Sequence, residues 1–353
     1  MLSHLFNRSN SRRVCIVKAI AIASLFVCCA HDVDAQDTPL ISGGGGFTAN
    51  TNGGKTTYSP IVEPLLALPL GPHLLVESRA ALEEAWTPNP KNEPGFNHSH
   101  FVGLTYLQGD WIVSKHLTVV AGSFLMPFET YNERLSPIWI GNFQSAPLTY
   151  ALGNMSTGVA TGAMVRGSAF SRQKLTIDYA AYFSAREGNQ YFASERSSGG
   201  RTNFYLPDKR LEIGFSYNRL LQGTHENFYG THVWWEPANT AFRFRSEFAR
   251  GHHAQGYWIE VDYRTQAFHG LDSWVGRIEP VFRMNQTFRR DTNFSDGLAL
   301  VDTQRADFGL DYNLPHNTRV LTSYSRQFAS TGNHNIWQTG LVYRFLFPTW
   351  KGK

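Results

Sequence analysis

The chain has 353 residues, a formal net charge of +4, 14% aromatic residues and 31 glycines. This charge is too close to neutral to indicate a nucleic-acid partner. Beyond residue 35, no stretch is continuously apolar for the roughly 18 residues that would indicate a membrane-spanning helix. A soluble all-β protein and a barrel that crosses a membrane with strands, half of whose residues face lipid, both fit this composition.

The first 35 residues resemble a secretory signal peptide, with basic residues, an apolar run at 19–30 and a small-x-small site that ends at Ala35. We expect cleavage after Ala35, with Ala30 as the alternative. A membrane anchor is the rival interpretation, but the run is shorter than the roughly 20 residues that a spanning helix needs. All three cysteines, Cys15, Cys28 and Cys29, lie here, so the exported chain contains no disulfide.

Apolar and polar residues alternate in one segment after another beyond this region, which predicts β-strands. A short first strand at 38–42 is followed by a Gly/Asn/Thr-rich stretch, 43–55, which we interpret as a loop. The next predicted strands are 58–68, 73–86, 101–112, 117–126, 157–168 and 174–185. In the second half the alternation is clearer, with Phe242, Phe244 and Phe248 on one face and arginines or glutamate on the other.

Long and short connections should alternate along a transmembrane barrel, because its two ends carry loops of different length. The long connection 186–200 fits this rule only if a short strand, 201–206, follows it. With that strand the total is sixteen, and we predict a single antiparallel transmembrane β-barrel over residues 36–353. Sixteen strands leave an aqueous lumen.

Charged residues occupy the predicted inner face in near balance. Facing lipid, an arginine would cost about 2–4 kcal/mol at the membrane midplane, so these side chains must face water. They either pair across strands and stiffen the wall or form a charged constriction that filters solutes. The candidate pore-lining residues are Arg243, Arg245, Glu247, Glu260, Asp262, Arg264, Arg277, Glu279, Arg283, Arg305, Asp307 and Arg344.

The longest connection, 127–156, opens with Gly-Ser-Phe-Leu-Met-Pro-Phe from Gly122. This segment resembles porin-like barrels and is loosely similar to the phosphate-selective porin family, although the chain lacks a dense lysine cluster. In sixteen-stranded general porins the third outer loop folds into the lumen and narrows it. The resemblance therefore implies a constriction that contains Glu129, Glu133 and Arg134; a loop packed on the rim is the alternative.

The last strand, 336–347, places an apolar, aromatic face opposite one with glutamine and arginine. It resembles the C-terminal assembly signal of bacterial outer-membrane barrels, which implies the barrel assembly machinery as a partner. The residues that carry this resemblance are Gln338, Gly340, Tyr343, Phe345 and Phe347. Porins are commonly trimeric, so the resemblance also implies a homotrimer as one possible assembly.

No pattern points to catalysis or to a cofactor. Gly153 to Gly158 is mis-spaced for a serine hydrolase elbow, and glycine patterns for phosphate or dinucleotide binding are absent. His98 and His100 share a strand face, but no third metal ligand lies nearby in the sequence; His252 and His253 fall in an outer loop. We predict no metal site and no enzyme.

The sequence as a whole predicts an outer-membrane channel for passive diffusion of small hydrophilic solutes. Membrane lipid would contact its outer face. Two alternatives remain: an outer-membrane barrel enzyme of the lipase or protease type, and a receptor or structural barrel with a closed lumen.

Overall fold

A computed structural model describes residues 39–89, 94–150, 158–189, 193–223, 225–291 and 297–348. The predicted signal peptide lies outside the described residues. Sixteen antiparallel strands close into one barrel, in which the first strand pairs with the last from Leu40 opposite Pro348 to Asn52 opposite Ile336. The predicted strand count and the all-β class are confirmed.

Every strand pairs with its neighbours in sequence. The strands are β1 (Leu40–Asn52), β2 (Lys55–Leu70), β3 (Leu74–Pro88), β4 (Phe96–Ser114), β5 (Leu117–Leu125), β6 (Val159–Arg172), β7 (Leu175–Ala185), β8 (Ser197–Leu206), β9 (Leu211–Leu220), β10 (Asn227–Trp235), β11 (Phe242–Arg250), β12 (Ala254–Tyr263), β13 (Ile278–Arg289), β14 (Thr303–Leu314), β15 (Thr318–Ala329) and β16 (His334–Pro348).

The two ends of the barrel differ in the length of their connections, as predicted. At the end where β1 begins, which we call the terminal end, most turns are short; at the opposite end, the loop end, lies the long connection 126–158. Strand β8, required by this alternation, is present. The helical segments are all short: Tyr131–Leu135, Pro207–Lys209, Gln266–His269 and Val275–Arg277. Among the described residues, no helix is long and apolar enough to cross a membrane.

Large apolar side chains cover the outside of the barrel. Phe308 is 54% exposed and packs against Phe282 on the adjacent strand, with ring centroids 5.0 Å apart. Trp337 is 59% exposed and contacts Tyr324 in the same way at 4.6 Å. Aromatic pairs of this kind stabilise neighbouring strands, but they leave most of each ring on the outer surface.

The glycine-rich stretch 43–55, which the sequence predicted to be a loop, is mostly strand. Residues 43–52 continue β1 and pair with both β2 and β16, so the turn shrinks to Gly53 and Gly54. Glycine has low strand propensity because it offers no side chain to pack. The prediction failed because these glycines make room for a segment that is distant in the sequence.

Candidate functional site: a lumen narrowed by an inserted loop

The described part of the connection between β5 and β6, residues 126–150, enters the barrel from the loop end, and we call it the inserted loop. This confirms the predicted insertion and excludes the rim-packed alternative. Phe128 joins a buried apolar cluster at the base of the loop. Further along, Tyr131 and Leu135 pack against Trp258 on β12. The loop therefore fills part of a lumen that sixteen strands alone would leave open.

Glu247 on β11 anchors the first part of the inserted loop. Its Oε1 accepts hydrogen bonds from Thr130 N (2.7 Å), Thr130 Oγ1 (2.5 Å) and Tyr131 N (2.9 Å), and its Oε2 accepts one from Trp258 Nε1 (3.1 Å). Hydrogen bonds to a charged group are worth about 1.5–3 kcal/mol each. Glu129 is buried beside this anchor; burial raises the pKa of its carboxyl well above the usual range, and the charge of Glu247 raises that pKa further.

Arginines on β13, β14 and β15 hold the middle of the loop by donating to its backbone carbonyls. These bonds run from Arg283 Nη2 to Ser145 O (2.8 Å), from Arg305 Nη2 to Ala146 O (2.7 Å) and from Arg319 Nη2 to Gly141 O. Asp307, which is fully buried, orients the first two arginines through their Nε atoms, at 2.8 Å and 2.9 Å. The buried negative charge of Asp307 is therefore paired with two positive charges.

A second charge network lies behind the loop on β11 and β12. Asp262 accepts from Arg243 (2.8 Å) and from Arg245 (2.9 Å), and Glu260 also pairs with Arg245. Asn142 of the inserted loop donates to Glu260 at 3.2 Å and to Asp262 at 3.3 Å. These ion pairs cross between adjacent strands and connect the loop to the wall.

Most of the predicted pore-lining charges therefore lie beneath the loop and not on an open surface. Eight face inward but are at most 8% exposed: Arg245, Glu247, Glu260, Asp262, Glu279, Arg283, Arg305 and Asp307. Arg243 belongs to the same network. Arg264 pairs with Glu236, and Arg277 donates to Leu271 O; both lie in connections at the terminal end. The correction follows from the loop, because strand alternation identifies the inward face but not what covers it.

The far side of the inserted loop reaches the opposite wall. Ile138 N donates to Glu63 Oε2 on β2 at 2.8 Å, and Arg79 on β3 donates to Ser136 Oγ at 3.3 Å. Because hydrogen bonds join the loop to opposite walls of the barrel, the loop crosses the lumen.

Inward glycines on the wall stand opposite loop side chains. A Cβ atom at Gly44 would lie 2.5 Å from Trp139 Cε3, and one at Gly309 would lie 2.9 Å from Phe143 Cε1. The Phe143 ring cannot move away easily, because the Arg283 guanidinium lies 4.4 Å from its centroid. These glycines therefore give the loop the space it needs to pack closely against the wall.

A cavity of about 700 Å³ remains open on the other part of the wall, beside the inserted loop. We call it the open passage. Its charged lining residues come from β3, β6, β7, β8, β16 and the loop. They are Glu77, Arg79, Glu133, Arg134, Arg166, Asp178, Arg201 and Arg344. Apolar and aromatic side chains complete the lining, among them Leu65, Tyr106, Leu125, Trp139, Ile140 and Met164.

Two of the three constriction candidates line this passage. Glu133 pairs with Arg201 at 2.6 Å, and Arg134 pairs with Glu212 at 2.8 Å while its guanidinium lies 5.0 Å from the centroid of the Trp234 ring. The third candidate, Glu129, is buried and faces the anchor instead. Of the predicted strand residues, Arg344 lines the passage.

Arg79, Arg166 and Arg201 were missed by the sequence analysis. Each lies on a strand of the first half, where inward charges are sparse and the alternation is interrupted. Register shifts at Arg79/Ala80 and at Ser168/Phe170 change which residues face inward. The inward position of Arg79 two residues after Glu77 was a usable signal, since residues i and i+2 share a strand face.

The remaining predicted residues take the following positions. Gln338 and Gly340 lie on the inner face of β16, and the Gly340 backbone packs against Gln144 of the inserted loop. His98 lies beside Glu84 at 3.4 Å. His253 contacts carboxylates on two neighbouring loops. Within the described ranges, no group of three or more His, Cys, Asp or Glu side chains is arranged to hold a metal ion.

No protein-family model matches the sequence, and no curated protein matches it. Solved structures do match. They include a loop L8 deletion mutant of OmpT, an outer membrane protein of Vibrio cholerae (8% identity over 88% of this chain and 100% of that one, TM-score 0.58). Pseudomonas putida OprB (10%, 88% and 92%, TM-score 0.56) and the anion-selective porin from Comamonas acidovorans (10%, 87% and 99%, TM-score 0.55) are also similar. The chain thus has a porin-like barrel fold.

Proposed function

We propose that this protein is an outer-membrane porin, a channel for passive diffusion of small hydrophilic solutes. The observation that carries the proposal is the open passage, which runs beside an inserted loop within a closed barrel. Solutes would be sieved by the width of this passage and by the charges on it. The likeness to solved porins supports the proposal.

Membrane lipid is the partner that the outer face supports. Exposed rings such as Phe215 (54%) and Trp337 (59%) would be unfavourable in water but favourable against hydrocarbon. The buried inward charges are correspondingly kept away from lipid.

We propose that residues 1–35 direct export and that the barrel assembly machinery recognises the C-terminal residues around Phe347. Mass spectrometry of the purified protein would test the first point, since cleavage after Ala35 leaves Gln36 at the N-terminus.

Single-channel recording with the purified mature protein in planar bilayers tests the channel. Ohmic current steps are expected. Their absence, with the barrel shown to be folded by its far-ultraviolet circular dichroism, would contradict the proposal and favour a closed receptor or structural barrel.

The enzyme alternative has its own test: turnover of ester and peptide substrates by the same preparation. We propose that no turnover occurs. The oligomeric state, for which we propose a trimer, is measured separately by sedimentation in detergent.

A further inference from the structure

Resting on the proposed channel, we infer that the open passage prefers small organic anions, such as short-chain carboxylates, over cations. The charged lining comprises five arginines and three carboxylates. This excess alone is small. The stronger argument is which member of each ion pair is exposed to the passage.

Arg166 and Arg134 present their guanidinium groups to the passage, whereas their partners lie behind them. The Arg166 side chain is 40% exposed and its partner Asp110 only 3%, at a distance of 2.6 Å. The Arg134 side chain is 34% exposed and its partner Glu212 15%, at 2.8 Å. An ion in the passage therefore meets the positive end of each pair first, and the negative end is farther away.

Arg344 adds a positive charge that is not paired in this way. It lies on β16, is exposed within the barrel, and has no side-chain partner among the residues that the structure describes. Glu133 is the opposite case: its side chain is 24% exposed and that of its partner Arg201 is 10% exposed. Glu77 and Asp178 also line the passage, and Gln108 donates to Glu77 at 3.3 Å. Glu77 and Asp178 are both half-buried, whereas Arg344 is exposed.

The shape of the guanidinium group and the apolar lining narrow the ligand class. A guanidinium group binds a carboxylate through two parallel hydrogen bonds. Leu65, Ile140 and Met164 provide an apolar surface beside the arginines. A short alkyl chain that ends in a carboxylate fits both features, whereas chloride uses only the charge.

The test uses the mature protein in planar bilayers with a potassium chloride gradient, followed by addition of sodium butyrate. We expect a reversal potential with the sign of anion preference, and a concentration-dependent fall in chloride current as butyrate occupies the passage. Arg344→Gln removes a charge without leaving a buried partner. It should lower the anion-to-cation permeability ratio about 10- to 30-fold. One unit charge about 4–6 Å from an ion in a water-like dielectric changes the population of that ion about three- to sixfold, in opposite directions for anions and cations.

Arg290→Gln is the matched control, because Arg290 lies on a loop at the loop end and donates to Gln255 outside the passage. It should leave the permeability ratio unchanged. A reversal potential of the opposite sign, or equal ratios for Arg344→Gln and the wild type, would overturn the inference while leaving the channel intact. Butyrate that does not reduce the chloride current would overturn the assignment to organic anions. An absence of current steps would instead refute the proposed channel itself.

Discussion

Asp307 is the carboxylate through which two arginines hold the inserted loop, and Asp307→Asn tests that arrangement. The carboxylate accepts a hydrogen bond from Arg283 and forms an ion pair with Arg305, and both arginines donate in turn to two successive loop carbonyls. Removing one partner of a buried ion pair typically costs about 3–5 kcal/mol. Because asparagine keeps one acceptor oxygen, we take the lower end, about 3 kcal/mol. Each 1.4 kcal/mol is a factor of ten, so the displaced population of the loop should rise about 100-fold.

Two measurements report that population. Single-channel records should show more frequent excursions to a higher conductance, since a displaced loop widens the lumen. Trypsin should cleave the folded barrel faster after Arg134, which lies in the inserted loop. Asp178→Asn is the control: Asp178 lines the open passage but forms no ion pair with the loop among the described residues. If Asp307→Asn matched the wild type in both assays while remaining folded, Asp307 would not anchor the loop.

Three further substitutions probe the loop and the outer face. The pKa of Glu129 is raised when the inserted loop is in place. The loop should therefore bind the wall most strongly at acidic pH, and its binding should weaken as the pH rises from the ordinary pKa of glutamate towards the raised value. Current noise should increase with pH over this range in the wild type, and Glu129→Gln should remove that increase. Gly44→Ala should displace Trp139 and increase that noise, whereas Gly45→Ala, with no atom within 3.4 Å of the added Cβ, should not. Phe308→Arg should destabilise the barrel by about 2–4 kcal/mol in lipid bilayers, measured by urea unfolding, if its ring faces the membrane midplane.

The strands of the second half could be predicted because their signal is local. In β11 to β16 each residue's neighbours two positions away share its face, so apolar and charged residues alternate directly in the sequence. The requirement for alternating long and short connections even placed β8, whose own pattern is weak. The predicted boundaries differ from the structure by a few residues, because strand ends depend on the pairing partner as well as on the residues themselves.

The structure of β1 could not be predicted in the same way. Its run from Gly43 to Gly46 has the composition of a flexible loop. The reason for glycine at two of these positions is Trp139 and Ile138, whose side chains lie against Gly44 and Gly46. Those residues are more than ninety positions away in the sequence, and no local pattern identifies them as neighbours.

The position of the open passage is the part of the site that strand periodicity cannot supply. Strand periodicity correctly predicted that Arg283 and Asp307 face inward. Both side chains are nevertheless covered, because loop residues such as Ser145 bind there. The charges on that wall are nearly balanced because they pair with one another while they hold the loop. Their sum therefore says little about which ions pass. Selectivity should depend on the few charges on the side that the loop leaves open, where Arg166 is exposed in front of its buried partner. It follows that substitutions of the wall residues that bind the inserted loop, such as Arg283 and Asp307, should change selectivity only when they move the loop. Substitutions in the open passage should change selectivity with the loop in place.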